Sequence, residues 1–296
     1  MPELRASYGR PSLWFDTLGE KSKDPLVLLH GFTGTHRTWD MVTERLAENH
    51  LLVLPDLPGH GRSGVSTSRA EMGIAPTSKA VAEVIRLATG GIAKVTLIGY
   101  SLGGRVALDL ACKHQELLNG LILEGASPGI ERGDERGKRR ARDEALADEI
   151  QRHGIEWFVD YWQGTPLFAT QKELPQQIFQ AIRRDRLSNT VRGLAMSLSA
   201  AGTGAMVPLW ETMKSLRIPV LIIVGKRDRR YSEIGEAMRS NVRGSLVAEV
   251  EGAGHCVHLE KPEEFVVLVE DFLNDRSSMM KMNNKKKAAG KGAITS

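Results

Sequence analysis

The chain has 296 residues, 41% of them hydrophobic, with 40 basic against 36 acidic side chains. That length holds one large domain or one domain with an insertion, and the apolar fraction suits a globular protein. No apolar run is long enough to span a bilayer, and Met1-Pro2-Glu3-Leu4-Arg5 has no signal-peptide character, so no membrane span is expected. The basic balance does not call for a nucleic-acid partner. Six Lys and Arg fall in residues 276–296 without an acid, which leaves 34 basic and 36 acidic side chains elsewhere, a formal charge of −2. The expected location is the cytoplasm, or a plastid stroma had a transit peptide been removed. Cys112 and Cys256 form no C-x-x-C motif, so neither a disulfide framework nor a metal site is expected, and no cofactor.

In chain order, Leu13-Trp14-Phe15 reads as a first strand. Residues 25–30 form a continuous apolar run that ends in Gly31-Phe32-Thr33-Gly34. A helix follows over 39–47, a buried strand over 51–54, and a turn-rich loop, Pro55-Asp56-Leu57-Pro58-Gly59-His60-Gly61. The pattern then gives a helix over 78–87, a strand over 94–99, a helix over 102–113 and a strand over 121–123. From Pro128-Gly129 to about Trp210 there are charged helical patterns and no strand runs. Strand and helix alternate again with a strand over 219–225, a helix over 232–240, a strand over 246–250 and a helix over 262–273. Doubly buried strands alternating with helices define an α/β fold with a mostly parallel sheet. The expected organisation is a core in two parts, 1–127 and 211–274, a helical cap over 128–210, and a basic tail over 275–296 with too little apolar content to pack.

The chemistry centres on Gly99-Tyr100-Ser101-Leu102-Gly103, a G-x-S-x-G pattern between an apolar strand and a helix. This is the setting of a nucleophile elbow, a turn so tight that small residues must flank the serine. A serine hydroxyl is a poor nucleophile or base until an imidazole takes its proton and a carboxylate orients that imidazole. On such a fold the order is Ser, acid, His. Ser101 is followed by Asp228, just after a strand, and by His255 in Gly252-Ala253-Gly254-His255, after another. Glu124 is the alternative acid. His258 is expected to enter the last helix, and His30 and His60 to shape turns. The oxyanion donors expected are the backbone amides of Leu102, after the nucleophile, and Phe32, in the loop after the first buried run. Cys112 reads as core and Cys256 as incidental.

Together these motifs place residues 12–274 in the α/β-hydrolase fold by resemblance. In detail the chain resembles the 2-succinyl-6-hydroxy-2,4-cyclohexadiene-1-carboxylate synthases of menaquinone and phylloquinone biosynthesis. The resemblance is carried by Arg105 after the elbow, Glu124-Gly125-Ala126-Ser127-Pro128-Gly129, the arginines that follow, Phe158-Val159-Asp160-Tyr161-Trp162-Gln163, Pro166-Leu167-Phe168 and Trp210. It implies a lyase that releases pyruvate from 2-succinyl-5-enolpyruvyl-6-hydroxy-3-cyclohexene-1-carboxylate, with the triad as base. It also implies that this small polycarboxylate is held by Tyr100, Arg105, Arg139, Tyr161, Trp162 and Arg186. The family's cap pair is often Trp then Tyr, whereas here Tyr161 precedes Trp162. The alternatives are a serine carboxylesterase or C–C bond hydrolase with the same triad, and a noncatalytic receptor on the same fold. An intact triad argues against the receptor, and an arginine-rich cap argues against an esterase for neutral lipophilic substrates.

Overall fold

The computed structural model describes residues 13–91 and 93–275. Of the expected tail over 275–296, residue 275 ends the last helix and 276–296 lie outside the described residues. The described strands are β1 (Phe15–Leu18), β2 (Pro25–Leu29), β3 (Leu51–Pro55), β4 (Val95–Tyr100), β5 (Leu118–Glu124), β6 (Val220–Gly225) and β7 (Leu246–Val250). They form one sheet in the order β1-β3-β2-β4-β5-β6-β7. Every pairing is parallel except β1 with β3. The first strand therefore begins two residues later than expected and is an antiparallel edge. Leu13 is buried and the Trp14 amide bonds to Ser63 Oγ at 2.9 Å, so this stretch enters the sheet rather than belonging to it.

β2, β3, β4 and β6 are buried at every residue, as strands covered on both faces must be. Val27 and Leu29 point into one core with helices α2 (Ile74–Ala88) and α3 (Leu102–Lys113). Leu26 and Leu28 point into the opposite core with α1 (Asp40–Ala47) and a last helix over 262–275. α2 starts four residues before the expected position, upstream of Pro76. A proline is tolerated in the first turn because the backbone N–H groups there have no intrahelical acceptor.

Between β5 and β6 the chain makes a helical excursion: α4 (Gly133–Gln163), a 3-10 segment (Pro166–Glu173), α5 (Gln176–Leu187), α6 (Val191–Ala201) and the short α7 (Trp210–Met213). Gly154, at φ 86°, breaks α4 into two limbs. Phe158 and Ile150 pack with Leu194 and Leu198 in a small core of their own. The excursion leaves the sheet at the C-terminal end of β5, the edge where such sheets gather ligands, and the chain returns through α7 to the opposite edge to enter the parallel β6. No described helix is long and apolar enough to cross a membrane.

Candidate active site

Ser101 stands between β4 and α3 at φ 49° and ψ −103°. A non-glycine residue at positive φ costs on the order of 1–3 kcal/mol, and packing must hold it there. The neighbouring glycines allow that packing. A Cβ on Gly99 would lie 2.5 Å from the Gly103 carbonyl oxygen, and one on Gly104 would lie 2.5 Å from Ala126 Cβ. The Ser101 amide donates to the Glu124 carbonyl at 2.9 Å, tying the elbow to β5.

His255 Nε2 lies 3.1 Å from Ser101 Oγ, and His255 Nδ1 lies 2.7 Å from Asp228 Oδ2. Asp228 is the N-cap of α8 (Arg229–Asn241), and its other oxygen accepts the Tyr231 amide at 3.4 Å. One carboxylate thus caps a helix and orients the imidazole. Gly125, at φ 52°, lets β5 end against the His255 ring, where a Cβ would stand 3.0 Å from Cε1. His255 is only 2% exposed. Glu260 fixes its loop by accepting the Gly254 amide at 2.6 Å and the Cys256 amide at 3.4 Å. Glu260 closes α9 (Val257–Glu260), whose N-cap is Cys256. Glu260 reaches back to the N-cap amide from the fourth helical position, one residue beyond capping-box spacing, so the standard signature did not announce this tie.

Glu124, the alternative acid, is turned elsewhere. Its carboxylate accepts the His258 amide at 3.1 Å and faces His258 Nδ1 at 2.7 Å, with both side chains fully buried. His258 lies in α9 rather than in the last helix, with its ring against Trp39 at 4.2 Å. Cys256 Sγ is 3.7 and 3.6 Å from the two ring nitrogens of His258. Near-equal distances put the sulfur over the ring rather than in line with either lone pair, and Glu124 already occupies Nδ1. Burial holds the Cys256 thiol well above its ordinary range. Glu124, Cys256 and His258 therefore make a packed strut, not a set of donors open to a metal ion. Cys112 is half-buried against the core, and burial pushes its thiol up to about 12.

Two cavities meet at Phe32, and the smaller one contains Ser101. One, of about 220 Å³, is lined by Ser101, Leu102, Phe32, Arg105, Arg139 and Trp162. The structure thus brings both expected oxyanion residues, two of the three arginines and one cap aromatic to the nucleophile. Arg105 is 9% exposed and bonds the Ala201 carbonyl at 2.5 Å. Burial, with help from the nearby Arg139, lowers its pKa to about 10, so it is still a cation at neutral pH. Arg139 is tied to Asp143 at 2.8 Å. The second cavity, of about 430 Å³, shares Phe32 and is lined by Tyr100, Arg186, Gln171, Phe168 and Cys256. Arg186 stacks over the Phe168 ring at 4.6 Å and donates to Gln171 Oε1 at 3.0 Å. Trp162 Nε1, Arg186 Nη1 and Gln171 Nε2 are buried donors without a partner. Tyr161 departs from expectation. It is 49% exposed, stacks on Trp157 at 5.4 Å and lines neither cavity. On a helix, neighbours 161 and 162 point about 100° apart, so only one of the pair can face the site.

His30 and His60 shape the turns below the site. The Leu57 amide donates to His30 Nε2 at 2.9 Å, and His60 Nδ1 faces the Pro58 carbonyl at 3.1 Å. Burial lowers the pKa of both, that of His60 to about 3.

A parallel sheet with serine at a strained elbow, acid after β6 and histidine after β7 defines an α/β hydrolase carrying a Ser-His-Asp triad. Comparison with known proteins is consistent with that class: the alpha/beta hydrolase family model matches residues 26–268. A Bacillus subtilis (strain 168) protein, provisionally named 2-succinyl-6-hydroxy-2,4-cyclohexadiene-1-carboxylate synthase, is 36% identical over 255 residues, covering 86% of this chain and 92% of that one. The synthase of that name from Salmonella paratyphi C (strain RKS4594) is 32% identical, covering 82% of this chain and 91% of its own. The solved structure of MenH from S. aureus matches with a TM-score of 0.84 at 33% identity, over 90% of this chain and 98% of that one. The chain belongs to the alpha/beta hydrolase family and, within it, to the 2-succinyl-6-hydroxy-2,4-cyclohexadiene-1-carboxylate synthases.

Proposed function

We propose that the protein is a carbon–oxygen lyase that eliminates pyruvate from 2-succinyl-5-enolpyruvyl-6-hydroxy-3-cyclohexene-1-carboxylate. The observation that carries this reading is the wall of the Ser101 cavity. A hydrogen-bonded serine and histidine open onto a small chamber flanked by Arg105, Arg139 and the unpartnered Nε1 of Trp162, and Arg186 carries a further unpartnered donor in the neighbouring cavity. Arginine forks and buried N–H groups are what a polycarboxylate needs, and what a neutral acyl chain does not.

The proton to be removed is on the ring carbon that bears the succinyl carbonyl. Removing it places negative charge on that carbonyl oxygen. His255 Nε2 takes the Ser101 proton, and Ser101 Oγ takes the ring proton, with Asp228 stabilising the imidazolium. The amides of Phe32 and Leu102 receive the developing oxyanion. The electron pair then moves through the ring double bond and breaks the C–O bond to the enolpyruvyl group. A ring diene remains, and enolpyruvate leaves, is protonated and becomes pyruvate. No water is consumed and no acyl-enzyme forms. The location that goes with this reading is the cytoplasm, or a plastid stroma after removal of a transit peptide.

The test is incubation of purified protein with the enolpyruvyl cyclohexene, with pyruvate and the diene chromophore measured together. Equal release of both is expected. Ester hydrolysis without pyruvate would overturn the reading in favour of a carboxylesterase.

A further inference from the structure

Among the described residues, two non-glycine positions have positive φ: Ser101 and Thr33, the latter at 73°. The elbow accounts for Ser101. Thr33 follows Phe32, and threonine, being β-branched, is an outlier in that region unless its surroundings hold it. The grip on Thr33 comes from the helical excursion. Asn189, just beyond α5, donates from Nδ2 to the Thr33 carbonyl at 2.7 Å and to the Arg186 carbonyl at 3.1 Å. Its Oδ1 accepts the Gly61 amide at 2.9 Å. One buried amide thus joins the end of α5 to two loops of the core. Two residues along the same loop, Asp185 clamps Thr35 through its amide at 3.1 Å and its hydroxyl at 2.5 Å.

We propose that Asn189 is a positioning residue for the oxyanion loop: by holding the Thr33 carbonyl and the Gly61 amide together, it keeps Thr33 left-handed and the Phe32 N–H turned toward Ser101. This deepens the functional reading above and rests on Phe32 as an oxyanion donor. Asparagine suits the position because it supplies a donor and an acceptor at once. Aspartate has no donor for Thr33, and alanine has neither group. The helical excursion is then more than a cover over the site, since its α5 end is built into the loop that stabilises charge.

The test uses full-length wild type, Asn189→Asp and Asn189→Ala. Each is assayed for pyruvate release and for Ser101 labelling by a fluorophosphonate, whose fluoride Ser101 displaces while the phosphoryl oxygen occupies the oxyanion site. Both variants should lose about 10- to 100-fold in kcat with KM within about threefold of wild type. Labelling should slow in parallel, and the pH midpoint of labelling should stay at the wild-type value because His255 and Asp228 are untouched. Should neither variant fold, Asp185→Asn weakens the second tie, and a smaller loss in the same two rates is expected. A folded variant with wild-type kcat and labelling rate overturns the proposal, as does a change confined to KM. If wild type is labelled but releases no pyruvate, the lyase reading fails while the labelling comparison still decides the role of Asn189.

Discussion

Glu124 holds His258 by two bonds, accepting its backbone amide at 3.1 Å and facing its ring Nδ1 at 2.7 Å, with neither side chain reaching solvent. The Glu124 carbonyl meanwhile accepts the Ser101 amide. Through this one residue the end of β5 connects the nucleophile elbow with the segment that carries His255. An orphaned buried donor costs about 1–3 kcal/mol. Glu124→Ala orphans two, so unfolding in urea should show a loss on the order of 2–6 kcal/mol. Glu124→Gln keeps an acceptor and should lose less. Equal stability for the alanine variant and wild type would show that the strut contributes nothing.

Ser101→Ala, His255→Ala and Asp228→Asn should each reduce pyruvate release, the first two by at least about 1000-fold, because the three groups move one proton together. The Ser101→Ala, His255→Ala double variant should be no worse than the poorer single. Steady-state kinetics over all four variants check this. Near wild-type turnover in Ser101→Ala would remove the serine from the chemistry.

The arginines should separate by burial. A charge-assisted fork to a desolvated carboxylate is worth roughly 2–4 kcal/mol, so Arg105→Ala should lower kcat/KM by about 30- to 1000-fold. Arg139 is more open, at 34% side-chain exposure, and its loss should fall toward the lower end. Arg186→Ala should fall in the same range if the substrate extends into the second cavity. Lysine should rescue only partly, since an ammonium lacks the planar fork. Hydrolysis of a neutral p-nitrophenyl ester, if present, should be insensitive to all three. Silence of the three variants in the pyruvate assay would sink the carboxylate-binding role.

His60 should steepen acid unfolding. Its pKa falls from 6.5 to about 3 because burial disfavours the imidazolium. Between those values the unfolded chain binds a proton that the folded chain refuses. Stability contributed by neutral His60 is therefore complete above pH 6.5 and declines as pH falls toward 3, by about 1.4 kcal/mol per pH unit. Asp56 acts in the same direction at lower pH. Burial alone would raise its pKa, but the His36 bond, the His30 ring and the Arg62 and His36 amides outweigh burial and hold it down. His60→Asn retains a donor for the Pro58 carbonyl and cannot titrate. Urea unfolding at several pH values should show a shallower acid slope for the variant, and parallel slopes would contradict this account.

The sequence by itself determined the sheet and the triad. Continuous apolar runs such as Leu26–Leu29 and Val220–Val224 can be satisfied only between two covering layers, and G-Y-S-L-G fits only a turn with no room for side chains at its flanks. These are local constraints, legible within a few residues. Tertiary structure decided what depends on how distant segments meet. Glu124 lies after a strand, as the acid of a triad can, yet it faces His258 because α9 places that ring beneath β5. Tyr161 and Trp162 are adjacent in sequence, and only the packing of α4 against α6 turns Trp162 inward and leaves Tyr161 on the surface. Asn189 gave no signal at all. Its partners, Thr33 and Gly61, are 156 and 128 residues away, and a hydrogen bond across that span exists only once the helices between β5 and β6 have docked on the sheet.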